Sequence, residues 1–174
     1  TKVANVSFAI EKEGDVICLL GPSGIGKTTI LRTIAGLEKI SKGSIELRGN
    51  VLSSEKKYLQ PEDRNISLAF QENSLFPHYT VEKNILLGAD RNKDKKDKNV
   101  NFQEIIDLLD ISLILNKFPH EISAGEAQRA SLARSLITNP DLLLLDEPLS
   151  NVDQSFKEEI PVSYTHLTLP TITE

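Results

Sequence analysis

The stretch Asp15–Thr28, DVICLLGPSGIGKT, constrains this chain more than any other. An unbroken apolar run passes into a glycine-rich loop, and the loop passes into a helical stretch, KTTILRTIAG, with Gly36 as its stop. The apolar run is of the kind buried on both faces of a parallel sheet, which predicts Cys18 as a buried strand thiol. Gly21–Thr28 fits G-x-x-x-x-G-K-[ST] between a strand and a helix, the context in which that pattern cradles phosphate. In such a loop Gly21, Pro22, Ser23, Gly24, Ile25 and Gly26 curl so that backbone N–H groups face phosphate oxygens. Lys27 is spaced to reach the β- and γ-phosphates, and the Thr28 hydroxyl to ligate Mg²⁺. Thr29 follows at the start of the helix, whose positive end adds to the anion site.

A second motif completes the expectation. In LLLLDE the leucines bury a strand and Asp146 emerges at its carboxyl end, where α/β sheets place their ligands. An acid there can hold Mg²⁺ directly or through water, while Glu147, pointing differently, can polarise a water for attack on a γ-phosphate. The competing reading is a plain Asp-Glu pair before a proline turn. Together the two motifs leave kinases, GTPases, helicases and transporters open.

The remaining pattern predicts an α/β core with a helical subdomain. VANVSFAI alternates, with Val6, Phe8 and Ile10 on one face of a strand; GSIELRG is a short strand packed near it; NISLAF is a strand ending at Gln71. From about residue 73 to 139 the character turns helical. TVEKNILLG is a helix with Thr80 as N-cap, ADRNKDKKDKN a solvated loop of mixed charge, and NFQEIIDLLDI a helix with Phe102, Ile105, Ile106, Leu108 and Leu109 at amphipathic spacing. At 174 residues the chain has room for one domain. Its net charge of −5 argues against a nucleic-acid surface. No apolar run approaches the ~18–20 residues that span a bilayer. A single cysteine allows no disulfide within the chain and fits a reducing compartment. The absence of methionine, and the opening directly on strand alternation, predict a piece lacking part of its N-terminal end.

ISAGEAQRASLARSL, just ahead of PDLLLLDEP, discriminates among the open classes. It resembles the signature of ATP-binding cassette (ABC) ATPases, usually LSGGQ followed by a QR-x-x-LARAL-like helix. Gln71 in AFQENSLFPHYTV resembles that family's Q-loop, and Ser150–Asp153, SNVD, its D-loop. The elements stand in family order over about residues 3–160. The resemblance implies a P-loop NTPase (RecA-like) α/β core, an antiparallel β subdomain and an α-helical subdomain carrying the signature. It implies a partial ABC ATPase domain over residues 1–160, with ATP and Mg²⁺ as cofactors. Glu147 and Gln71 are the implied catalytic residues, and Thr28, Gln71 and Asp146 the implied metal ligands. Ser123, Gly125 and Asp153 are implied to meet nucleotide, Ser123 and Gly125 facing the γ-phosphate held by a second subunit in a head-to-tail dimer. An adenine-stacking aromatic residue would lie upstream of Thr1, and Phe8 reads as core.

Physically, Ser123-Ala124-Gly125-Glu126 fits a capping box, so the helix after it starts with an electropositive, hydrogen-bond-donating end. Ala130, Ala133, Leu136 and Ile137 line one side of that helix, which stops at Asn139-Pro140. Two residues depart from the family pattern. Ala124 replaces a glycine, and Glu126 replaces glutamine, bringing a negative charge near polyphosphate that the capping box would occupy.

YLQPEDRNISLAFQENSLFPHYTVEKNI resembles prokaryotic importer ATPases serving ferric iron, thiamine, sulfate, polyamine or maltose. SLFPHYTV and KFPHEIS put ferric iron first and thiamine second. The implied partners are integral membrane permease subunits and, indirectly, a periplasmic or extracellular substrate-binding protein, with no nucleic acid. The implied place is peripheral, on the cytoplasmic face of the prokaryotic inner (plasma) membrane. The alternative is a soluble ABC ATPase acting on nucleic acid or ribosomes; the long coiled-coil insertions or paired cassettes usual in those groups are not visible. His78 and His120, beside Pro77 and Pro119, read as loop or helix-end residues rather than metal ligands.

His166 in SYTHLTL imitates the family's switch histidine. A parallel crossover needs about a dozen residues or more, whereas QSFKEEIP alone separates Asp153 from Val162 and Pro161 ends any helix begun there. Residues 161–174 resemble the translated sequencing-adapter ends of environmental gene fragments and are predicted to be a non-native tail. His166 is assigned no catalytic role, and the chain is predicted to be truncated and to bind nucleotide better than it turns it over.

Overall fold

The computed structural model describes residues 6–10, 12, 14–69, 74–89 and 101–146. Among the described residues, four helices and four strands follow in the order α1 (Lys27–Ala35), β1 (Ser44–Leu47), β2 (Asn50–Ser54), β3 (Ile66–Ala69), α2 (Val81–Ala89), α3 (Phe102–Leu108), α4 (Ala124–Leu136) and β4 (Leu142–Leu145). Short 3-10 turns stand at Pro61–Asp63, Ser112–Ile114 and Pro119–Glu121.

The strands form two pairs. β1 and β2 make an antiparallel hairpin through Arg48-Gly49, both at positive φ, the two-residue reversal that matches strand twist. β3 and β4 run parallel, Ile66 opposite Leu142 and Ala69 opposite Leu145, so their carboxyl ends lie together. α1 lies against both strands of the parallel pair and α4 against β3.

The core sits in the helical half. Val81 and Ile85 of α2, Ile105 and Ile106 of α3, and Ala130 and Ala133 of α4 join Leu109, Ile111 and Ile114 in one buried cluster that reaches Ala69 of β3. Asn101 caps α3 by accepting from the Gln103 N–H, and Thr80 accepts from the Lys83 N–H at the start of α2. α1 ends on Gly36 in the left-handed conformation, as its sequence predicts.

Two expectations are corrected. Residues 15–20 form no ladder, Cys18 is exposed and Leu20 is 92% exposed, so DVICLL is not a buried strand. Apolar content favours burial, but a strand needs a hydrogen-bonded neighbour, and the described parallel pair is β3 with β4 alone. For the same reason residues 6–10 are irregular, with Val6, Phe8 and Ile10 exposed. GSIELRG forms the strand its sequence predicts and pairs with the adjacent β2 through a two-residue turn. The tract ADRNKDKKDKN lies almost wholly outside the described residues.

Candidate functional site

Two segments far apart in sequence converge at the carboxyl end of the parallel pair. The Asp146 N–H donates to the Ala69 carbonyl at 3.1 Å, extending the ladder one step and placing the Asp146 carboxylate beyond the strand end. There the Thr28 hydroxyl donates to Asp146 Oδ1 at 3.1 Å. Two of the three residues expected from sequence as Mg²⁺ ligands, Thr28 and Asp146, are thus neighbours. Their oxygens are the hard donors that Mg²⁺ takes, with room for its usual waters on an exposed surface.

The loop ahead of them is open to solvent from Gly21 through Ile25. Gly24 lies at φ 80° and Gly26 at φ 108°, values that favour glycine and set the backbone curl into α1. Lys27 arches back over the loop, its ammonium donating to the carbonyls of Gly21 at 2.7 Å and Pro22 at 3.0 Å. Pro22, Ser23 and Ile25 are exposed loop residues, and Thr29 belongs to the first turn of α1, its carbonyl accepting from the Thr33 hydroxyl. A curled glycine loop, a lysine held by loop carbonyls, a helix N-terminus and an oxygen pair fit a magnesium-bound polyphosphate.

The signature segment has the capping geometry its sequence predicts. The Ser123 N–H donates to Glu126 Oε2 at 2.7 Å, and the Glu126 N–H donates to Ser123 Oγ at 3.2 Å. Hydrogen bonding to its carboxylate from the Ser123 backbone N–H and then the Ser123 side chain holds the Glu126 carboxyl below the usual carboxylate range, with help from the charges of Lys117 and Arg129. Ser123 is exposed and Gly125 half-buried in the first turn of α4. A second carboxylate does similar work just upstream, where Glu121 Oε2 accepts from the Phe118 N–H at 2.7 Å. The carbonyls of Lys117 and Leu115 accept from the Val81 and Glu82 N–H groups at 2.9 Å each, joining the run before the signature to the start of α2.

Gln71, Glu147, Asp153 and His166 lie outside the described residues. A family profile described as ABC transporter matches residues 3–150. The chain belongs to the ABC transporter family. Among curated relatives, this ABC-family chain is 42% identical over 157 residues to the molybdenum import ATP-binding protein ModC of Rhodopseudomonas palustris (strain HaA2), covering 90% of this chain and 41% of that protein. It is 40% identical to the Fe(3+) ions import ATP-binding protein FbpC 2 of Haemophilus influenzae, covering 90% and 44%. It is 39% identical to the trehalose/maltose import ATP-binding protein MalK of Thermococcus litoralis, covering 90% and 43%. The chain thus spans about two fifths of the length of the curated relatives it matches. The fold matches a solved bacterial ABC transporter cassette, the dimeric MJ0796, with a TM-score of 0.73 and 26% identity over 90% of this chain and 70% of that one.

Three side chains given no role from sequence organise this cassette, Arg64 and Asn84 in the stretch that resembles importer ATPases and Arg134 in the signature helix. Arg64, 4% exposed, reaches α1 and β2. Asn84, fully buried in α2, accepts from the Phe76 N–H at 2.7 Å and donates to the carbonyls of Phe76, Tyr79 and Thr80. Arg134 donates to the Ser74 carbonyl at 2.9 Å and lies over the Phe76 ring, and burial lowers its pKa. Asn84 carried a fainter signal, since it sits one turn from Val81 and Gly88 on the buried face of α2, where a polar group must find partners. His78 packs its ring with Phe76 and Tyr79, and His120 stacks on Phe118.

Proposed function

We propose that this chain is the nucleotide-binding part of an importer ATPase subunit that works through ATP and Mg²⁺. The observation that carries this reading is the Thr28–Asp146 contact, which joins the phosphate loop to the strand-end acid. Bound MgATP supplies the phosphoanhydride bond whose hydrolysis drives the cycle. Lys27, free to leave the Gly21 and Pro22 carbonyls, offers its charge to the phosphates, with the N–H groups of the loop and of α1 behind it. Thr28, Asp146 and Gln71 hold the metal, and Glu147 orients a water and takes its proton. Ser123 and Gly125, at the donating end of α4, face nucleotide held by a second subunit in a head-to-tail dimer, with Asp153 beside that interface. Gln71 and the helical subdomain, about residues 73–139, carry the movement to integral membrane permease subunits, served in turn by a substrate-binding protein.

No helix among the described residues is long and apolar enough to cross a membrane. The proposed place is peripheral, on the cytoplasmic face of the inner membrane. The import relatives favour a transporter over an ATPase acting on nucleic acid or ribosomes. Those relatives are named for molybdenum, ferric iron and trehalose/maltose at nearly equal identity, so the importer class is better supported than ferric iron as cargo. Residues 1–160 form a partial ABC ATPase domain in this reading, and 161–174 a non-native tail in which His166 takes no catalytic role.

Nucleotide binding and phosphate release on this chain, beside Lys27→Ala and Glu147→Gln, test the proposal. Lys27→Ala is expected to lose nucleotide, and Glu147→Gln to bind it while releasing less phosphate. Equal phosphate release from the parent and Glu147→Gln would remove Glu147 from the mechanism.

A further inference from the structure

Arg64 closes the Pro61–Asp63 turn and sends its side chain beneath the carboxyl end of α1. Its Nε donates to the Leu59 carbonyl at 2.9 Å. One terminal nitrogen donates to the carbonyls of Thr33 at 3.2 Å and Ile34 at 2.8 Å; the other donates to Ser53 Oγ at 2.6 Å and faces the Leu52 carbonyl at 3.5 Å. The five N–H groups of the guanidinium thus meet five acceptors from three segments. The Tyr58 ring lies 5.3 Å from the guanidinium carbon, and its hydroxyl donates to the Gly36 carbonyl. A Cβ at Gly36 would stand 2.6 Å from Arg64 Nε, so the end of the helix rests directly on the cation.

The acceptors at α1 are among the last carbonyls of the helix, where a positive charge is favoured. Two residues after Arg64 the backbone enters β3, which pairs with β4, at whose end Asp146 stands. One residue therefore connects the phosphate-loop helix to the strand pair that carries the acid. Tilting a nine-residue helix by about 10° at one end moves the other by roughly 2 Å, about the full length of a Mg²⁺–oxygen contact and well beyond its tolerance of about 0.2 Å.

We propose that Arg64 is a positioning residue for the nucleotide site, fixing the far end of α1 so that Thr28 meets Asp146. The proposal rests on the nucleotide-binding reading above. Arg64→Lys keeps the charge but cannot span three segments with a planar fork. The measurement is the Kd of a fluorescent trinitrophenyl-ATP on the chain, with and without Mg²⁺, below the melting temperature of each variant, together with Tm. For Arg64→Lys the Kd in Mg²⁺ is expected to rise about tenfold, as for loss of one charge-assisted hydrogen bond, and the tightening by Mg²⁺ to shrink. Tyr58→Phe, which removes the Gly36 bond and keeps the cation, is expected to raise Kd in the same direction by a smaller factor. It carries the test if Arg64→Lys does not fold. A lowered Tm with Kd and Mg²⁺ dependence unchanged in the folded variants overturns the proposal. A parent chain that binds no nucleotide, or a Lys27→Ala variant that binds as tightly as the parent, overturns the site reading itself. Tight parental binding lost in Lys27→Ala but kept in Arg64→Lys and Tyr58→Phe overturns only the role of Arg64.

Discussion

Glu126 shows how a single departure from a motif is accommodated. A carboxylate at the mouth of an anion site repels phosphate, yet here it is committed to the Ser123 N–H and so is turned back on its own helix. Because its folded pKa is depressed, its contribution to stability is full above the ordinary carboxylate range, about 4.3 for glutamate, and is lost as pH falls through the depressed value. Glu126→Ala is therefore expected to melt below the parent at pH 7, with the gap closing as the pH falls below about 4. Thermal melts of the pair across that range check it, and a gap independent of pH would remove the carboxylate from the cap. Ser123, Glu126 and their spacing make this cap legible in the sequence, since capping is a local geometry. Arg64 is not legible in the same way: its acceptors come from Thr33, Ile34, Leu52, Ser53 and Leu59, and only folding brings these together.

The elements divide along the same line. α1, with its Gly36 stop, α2, with Thr80 at its start, and α4, with its capping box, all form where pattern and caps place them. A helix satisfies its hydrogen bonds within itself, so local sequence is enough to announce it. The α2–α4 interface depends on shape as well as pattern. A Cβ at Gly88 would lie 2.5 Å from the Arg134 carbonyl oxygen and 2.8 Å from Ile137 Cγ2. Backbone cannot yield cheaply, so Gly88→Ala is expected to destabilise the chain by about 1–3 kcal/mol despite the better helix propensity of alanine. Denaturant titration checks this, and a neutral or stabilising result would mean that the two helices sit further apart. For the strands, local pattern points to the wrong environment for DVICLL, because the partner that would make it a buried strand is chosen at long range.

Across the molecule, burial is uneven. The helical half holds the contiguous core, while Val16, Ile17 and Leu20 ahead of the phosphate loop are exposed and outside any ladder. Backbone amides of residues 15–20 are accordingly expected to exchange with solvent orders of magnitude faster than those of Ile105–Ile106 and Ala130–Ala133. Hydrogen exchange followed by mass spectrometry reads this directly, and equal protection of both regions would place residues 15–20 in a ladder. The order of amino acids is enough to specify the phosphate loop, the capped signature helix, the strand-end acid and, through their succession, the family. Each of these motifs depends on the stereochemistry of a few adjacent residues. Three-dimensional packing was needed to establish that Thr28 touches Asp146, that Arg64 ties α1 to β2 and the approach to β3, and that the apolar run before the loop lies exposed. Those are relations between residues distant in the chain, selected by packing and hydrogen-bond satisfaction over the entire fold rather than by any local pattern.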